Sequence, residues 1–231
     1  MHSAIEPRLI PTEINETLNE YDIGKELDND FRQNDILCIV ADGPCVWDDL
    51  SAFDRVIGDR RHDFMCINEI AKVFPRPFLH FAAGDSHMPD MQAIAASLPD
   101  TVIKHAYNPT SQYFNVRWVR KYGGWSGTST FFGIKIGLAM GYMRIILVGS
   151  PLTNTGHWYD KDIKPGDPRE ARLKNKHENH LWKWTELAAR PIAWFIRSMS
   201  GNTRDLLGYP DEEWLDSFLR QGDKQDECIN F

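Results

Sequence analysis

Residues 123–149 constrain this chain more than any other stretch. They run Gly-Gly-Trp-Ser-Gly-Thr-Ser-Thr-Phe-Phe-Gly-Ile-Lys-Ile-Gly-Leu-Ala-Met-Gly-Tyr-Met-Arg-Ile-Ile-Leu-Val-Gly. The pattern reads as a polar glycine turn, an apolar helix over 128–140, a two-residue break and an apolar strand over 144–148. A glycine turn ahead of a helix leaves backbone N–H groups without intrahelical partners, and such groups can hold an anion. The same pattern also fits a helix packed on a sheet behind an ordinary Ser cap. Gly133 and Gly137 lie one helical turn apart, and each costs about 1 kcal/mol relative to alanine in a helix. Close approach of the helix to a sheet is the expected compensation.

The rest of the chain supplies the sheet. Ile36–Ala41 is a continuous apolar run bounded by Asp35 and by Asp42-Gly43-Pro44, the mark of a strand buried on both faces. Shorter runs at 64–67, 78–83 and 101–105 read as further strands. Helical stretches are expected near 47–57 and 89–97. Strands alternating with helices imply βαβ units. The fold class is therefore α/β: a Rossmann-like, mostly parallel sheet with helices on both faces.

Three parts are expected. Residues 1–34 are polar and acidic, and read as an N-terminal extension with a helix at most. Residues 35–200 form the Rossmann-like domain. Within it 106–122 reads as a loop, and the polar, proline-containing stretch 150–183 as a lid or insertion. A helix from about 181 to 199 follows, kinked or interrupted at Pro191. Residues 201–231 form a tail with one short helix near 212–220.

With 231 residues, 42% of them hydrophobic, the chain is long enough for a real core. A formal net charge of -7 argues against a surface devoted to nucleic acid. The cysteines at 38, 45, 66 and 228 contain no C-x-x-C pair, so a zinc ribbon or redox dithiol is not indicated. Cys38 and Cys66 sit in apolar runs and read as core residues. The apolar runs are too short to span a bilayer, and no signal segment stands out at the N-terminus. A cytoplasmic protein is expected, with room for an aromatic interface between copies in its eight tryptophans.

In open α/β sheets, ligands bind outside the carboxyl ends of the strands. Here those ends carry Asp42-Gly43-Pro44, Asn68, Gly84-Asp85-Ser86 and Gly149-Ser150, with Ser126-Gly127-Thr128 ahead of the apolar helix. Together they suit a nucleotide, with carboxylate and amide groups for sugar and base and backbone N–H groups for phosphate. His177 and His180 would share a helix face. They read as a general base, or as two solvated histidines on a polar helix, rather than as a metal pair, because no third ligand sits at a telling spacing. Tyr159 lies in the expected lid beside His157 and Trp158, where its hydroxyl could donate to a phosphate or its ring could simply cover the core. Asp48-Asp49 reads as a helix start. Nothing in the sequence requires a divalent metal, and the Walker A and G-x-G-x-x-G patterns are absent.

These residues resemble a known family. The strand leading into Asp42-Gly43-Pro44 is similar to the Gly-x-Gly-Pro-Ser opening of the bacterial CMP-sialic-acid-using sialyltransferases. It is equally similar to that of the hydroxymethylpterin diphosphokinase-like family. Asn68 resembles the Asn after the next strand in the sialyltransferases. Ser126-Gly127, Gly141-Tyr142, Arg144–Val148 and Gly149 resemble the strongest block of both families. Gly156-His-Trp-Tyr159 resembles the place where the sialyltransferases carry a phosphate-binding tyrosine. Two positions depart from the pattern: Cys45 stands in place of Ser, and Gly149-Ser150-Pro151 replaces Gly-x-Asp. The tail from Gly201 to Pro210 is similar in look to phage or prophage proteins, which would place the protein in a host cytoplasm.

The resemblance implies a glycosyltransferase-like enzyme that is metal-independent and needs no cofactor. It would move a sugar from a CMP-type nucleotide donor to a hydroxyl acceptor. Asp42, Gly43, Pro44, Asn68, Asp85, Ser126, Gly127 and Thr128 would hold the donor. Tyr159 would steady the leaving phosphate, and His177 or His180 would be the general base. Two alternatives stand beside this reading. One is a diphosphokinase-like transferase using ATP and magnesium. The other is a nucleotide-binding or assembly module without catalysis.

Overall fold

In the computed structural model the described residues are 21–23, 32–106, 113–120, 128–161, 163–164, 167 and 180–217. The long apolar runs form the strands at the centre of the sheet. These are β2 (Ile36–Val40), β3 (Asp63–Ile67), β4 (His80–Ala83), β5 (Ile103–Ala106) and β7 (Arg144–Val148). Every residue of β3 and β7 is buried, as a strand covered on both faces requires. The intervening helices are α1 (Val46–Ile57), α2 (Pro89–Ser97) and α3 (Ser129–Ala139). The sequence expectation for these elements holds to within about two residues at each end.

Alternation along the strands builds two cores. Leu37, Ile39, Met65, Ile67, Ile145 and Leu147 face α3. Cys38, Val40, Cys66, Phe81, Ile146 and Val148 face α1 and α2, so both apolar-run cysteines are core residues. Helix α3 is buried nearly all round, between the sheet on one side and Trp184 on the other. The Trp184 ring meets Phe131 edge-on at 5.3 Å. Its glycines permit this approach. A methyl at Gly133 would come within 2.9 Å of Ile67 Cδ1, and one at Gly137 within 2.8 Å of Leu37 Cδ2.

The structure departs from expectation at the edges. Part of the 106–122 stretch is strand β6 (Val116–Arg120), parallel to β5. Residues 21–23 form β1 (Tyr21–Ile23), antiparallel to β6, where a helix at most was expected. The helix expected over 181–199 is interrupted before Pro191: α4 covers Leu181–Ala188, and Pro191 opens a 3₁₀ turn, Pro191–Phe195. The chain then enters β8 (Ile196–Ser198), parallel to β7. Proline fits the first position of such a turn because its missing N–H is not needed there. Helix α5 (Gly201–Leu207) follows, with another helical turn at 212–217.

The eight strands run in the order β1-β6-β5-β4-β3-β2-β7-β8. From β2 the chain steps outward to β6, then returns to β2's other side with β7. The order therefore reverses between β2 and β7. No helix among the described residues is long and apolar enough to cross a membrane.

Candidate functional site

The reversal point is where an open α/β sheet usually leaves its crevice, but here it is closed on the α1 side. The amide of Gly43 donates to the Gly149 carbonyl at 2.8 Å, continuing the β2–β7 pairing past the strand ends. A methyl at Gly43 would stand 2.5 Å from that oxygen and 2.6 Å from Pro151 Cδ. Asp49 of α1 completes the closure. Its Oδ2 accepts from the Gly149 amide (2.9 Å), the Ser200 hydroxyl (2.7 Å) and the Cys45 thiol (3.3 Å). Burial pushes the Cys45 thiol up to about 12, so it is no nucleophile at neutral pH. Gly43 and Pro44 thus serve the closure and the turn into α1, and the Gly43 amide is spoken for.

A second group of polar side chains lies around Asp42, at the ends of β2 and β3. Residues 156–161 cross there, anchored by the Trp158 amide donating to the Asp42 carbonyl at 3.0 Å. This brings His157 over Asp42. Both the His157 amide (2.9 Å) and Nδ1 (2.8 Å) contact Asp160 Oδ2. A carboxylate can only accept, so the ring presents an Nδ1–H to Asp160. Nε2 lies 4.0 Å from Asp42 Oδ1. The Tyr159 ring stacks on His157 at 5.0 Å with a 4° tilt. Burial pushes the Asp42 carboxyl up to about 6; His157 opposes the rise, and the charge of Glu69 and a shared hydrogen bond with it add to it.

Beside this pair the backbone is strained. Asn68 begins a 3₁₀ turn with φ of 57°, a conformation asparagine tolerates better than most residues but still adopts rarely. Its Oδ1 is buried and has no partner among the described residues. The same is true of Asp160 Oδ1 and Trp158 Nε1. Such groups are rare because each carries a desolvation cost.

The start of α3 borders the same edge. Thr128 is its N-cap, and its side-chain oxygen accepts from the Phe131 amide at 3.3 Å. A methyl at Gly84 would lie 2.8 Å from Ser129 Oγ, so the helix begins against the end of β4. Asp85 is exposed in the following turn, where its carbonyl accepts from the Met88 amide. Ser126, Gly127 and His177 lie outside the described residues. His180 is the N-cap residue of α4.

Sequence reasoning did not single out Glu69, His157, Asp160 or Asp49 as site residues. Glu69 and His157 meet Asp42 only through the fold. The His157–Asp160 pair did leave a signal: a polar side chain three residues ahead of a carboxylate, the spacing of a reciprocal cap. Asp49 looked like an ordinary first-turn acid of a helix.

Comparison with protein-family models, with curated proteins and with solved structures returns no match to this chain.

Proposed function

We propose that the half of the carboxyl edge around Asp42 binds a nucleotide-activated donor and transfers its sugar to a hydroxyl acceptor, with His157 as general base. The observation that carries this reading is the orientation of His157. Asp160 fixes the ring so that Nε2 is turned toward Asp42, 4.0 Å away, at the ends of two parallel strands. An imidazole so held can take the proton of an acceptor hydroxyl, a contribution of about 10²–10⁴-fold in rate. The acceptor oxygen then bonds to the anomeric carbon. The bond from that carbon to the donor phosphate breaks, and the nucleotide leaves with the electron pair.

In this reading Asp42 and Asn68 take hydroxyl or amino groups of the donor, since both present acceptors. The base role moves to His157 from His177 or His180. Tyr159 stays beside it, close enough to the ring to help place the leaving group.

The test is a thermal-shift panel of CMP, UDP, GDP and ATP compounds, followed by transfer assays with the CMP-sugar. A nucleotide at 100 times its dissociation constant adds about 2.7 kcal/mol of stability. His157→Ala is expected to keep that shift and lose at least 100-fold in turnover. Full turnover in this variant refutes the base assignment, and no shift with any nucleotide favours a module without catalysis.

One observation favours a second reading. Asp42 and Glu69 bring two carboxylates together, and oxygen ligands of this kind suit magnesium. The residues fit a diphosphokinase-like transferase, in which the ion would be held by these two groups and would neutralise phosphate charge. Loss of activity in EDTA, restored by magnesium, would select that reading.

A further inference from the structure

A second polar cluster lies away from the candidate site, buried beneath α3 toward the amino ends of the strands. Four side chains from four segments form one chain of hydrogen bonds. Asp63 opens β3, and Tyr142 follows α3. His80 opens β4, and His105 lies in β5. The Tyr142 hydroxyl is 2.7 Å from Asp63 Oδ2 and 2.8 Å from His80 Nε2, and His80 Nδ1 is 3.2 Å from His105 Nε2. Both imidazoles are fully buried.

The direction of every bond follows from one end. Asp63 accepts everywhere: its Oδ2 takes the amides of Gln33 (2.9 Å) and Asn34 (3.0 Å), and its Oδ1 takes Asn34 Nδ2 (2.7 Å). Tyr142 must therefore donate to Asp63 and accept from His80, so His80 carries its hydrogen on Nε2. A neutral His80 then has a lone pair on Nδ1, which must accept from His105 Nε2–H. Both rings are fixed as the Nε2–H tautomer.

We infer that His80 and His105 form an acid-sensitive latch holding β5, and with it β6 and β1, onto the rest of the sheet. A proton added at His80 Nδ1 sets two N–H donors against each other across the 3.2 Å contact. The contact survives only if His105 moves its own hydrogen to Nδ1; otherwise it breaks, by a turn of the His105 ring or by parting of β4 and β5. The groups facing the pair set the threshold. Asp63 favours the proton on His80, and His80 disfavours charge on His105. The Tyr142 phenol is neutral, and Arg32 acts on it from the segment before β2. Burial outweighs Asp63 and holds His80 neutral down to about 4, with His105 also held well below its ordinary value.

Two measurements test the latch on the full chain. Long-range ¹H–¹⁵N spectra of the histidine rings report tautomer and charge directly. Both rings are expected as Nε2–H and neutral at pH 7.5, and still neutral at pH 5. An Nδ1–H tautomer, or either ring titrating near 6.5, overturns the inference. Hydrogen exchange of the β5 amides, corrected for intrinsic rate and compared with β7, is expected to accelerate by up to tenfold per pH unit once one proton is taken up. His80→Gln with His105→Gln is expected to flatten that slope, and an unchanged slope overturns it. If the double variant does not fold, the ring spectra of the unaltered protein decide the question alone.

Discussion

The two ends of the sheet treat polar groups in opposite ways. At the amino ends each buried polar side chain we describe has partners. Asp63 accepts four hydrogen bonds. Arg144 donates to the Trp214 carbonyl (3.1 Å), the Met143 carbonyl (2.8 Å) and the Ser217 hydroxyl (2.9 Å), and its guanidinium lies over the Trp214 ring. At the carboxyl ends Asn68 Oδ1, Asp160 Oδ1 and Trp158 Nε1 are buried without partners among the described residues, as are Gln92 Oε1 on α2 and Trp184 Nε1 on α4. A carboxyl group there is held near neutrality. Satisfied networks specify a fold, whereas uncompensated polar groups in a crevice mark a place where something else is to bind. Even the carboxyl edge divides in this way: Asp49 satisfies the β2–β7 half, and the half around Asp42 holds buried polar atoms without partners among the described residues.

If that contrast is right, removing Asp63 does the most damage. Asp63→Ala strands four donors, and we expect a loss of about 3–4 kcal/mol by urea denaturation, because each unmatched buried donor costs about 1–3 kcal/mol and some will find water. A loss under 1 kcal/mol would break the contrast from the amino side.

Acid acts next. His80 binds its proton less readily in the fold than in the unfolded chain. Its contribution is therefore complete above pH 6.5 and is lost as the pH falls toward 4. Over that window it amounts to about 3 kcal/mol, read as a drop in urea midpoint. A midpoint independent of pH between 6.5 and 4.5 would contradict it.

The smallest effect has the opposite sign. The Asp42 carboxyl is raised, so its favourable contribution is complete below about 3.8 and is lost as the pH rises through about 6. At pH 7.5 the buried carboxylate costs stability, and Asp42→Asn is expected to stabilise the protein by about 1–2 kcal/mol while weakening nucleotide binding. Gain of stability with loss of function is the signature of a site residue. A destabilised Asp42→Asn at that pH would place Asp42 among the structural groups instead.

The strands and helices at the centre were legible because full burial forces continuous apolar runs, as in Ile36–Val40 and Arg144–Val148. The edges were not. Val116–Arg120 mixes arginine with apolar residues, and Ile196–Ser198 is three residues long, too short for any periodicity to show. At the site, Asp42 and Asn68 could be read because each directly follows an apolar run. Glu69 and His157 could not, since 27 and 115 positions separate them from Asp42 and only the crossing of 156–161 over β2 brings His157 near. The closure by Asp49 was hidden for the same reason: its partners, Gly149 and Ser200, come from distant segments.

The central claim is that the carboxyl edge around Asp42, and not the satisfied amino edge, receives a nucleotide. Backbone amide shifts recorded during titration with CMP, UDP, GDP and ATP test it most directly. The account predicts that one of them perturbs Asp42, Asn68, Glu69 and His157 and leaves Asn34, Asp63 and Arg144 in place. Perturbations centred on the amino-edge residues, or none with any of the four, would contradict it.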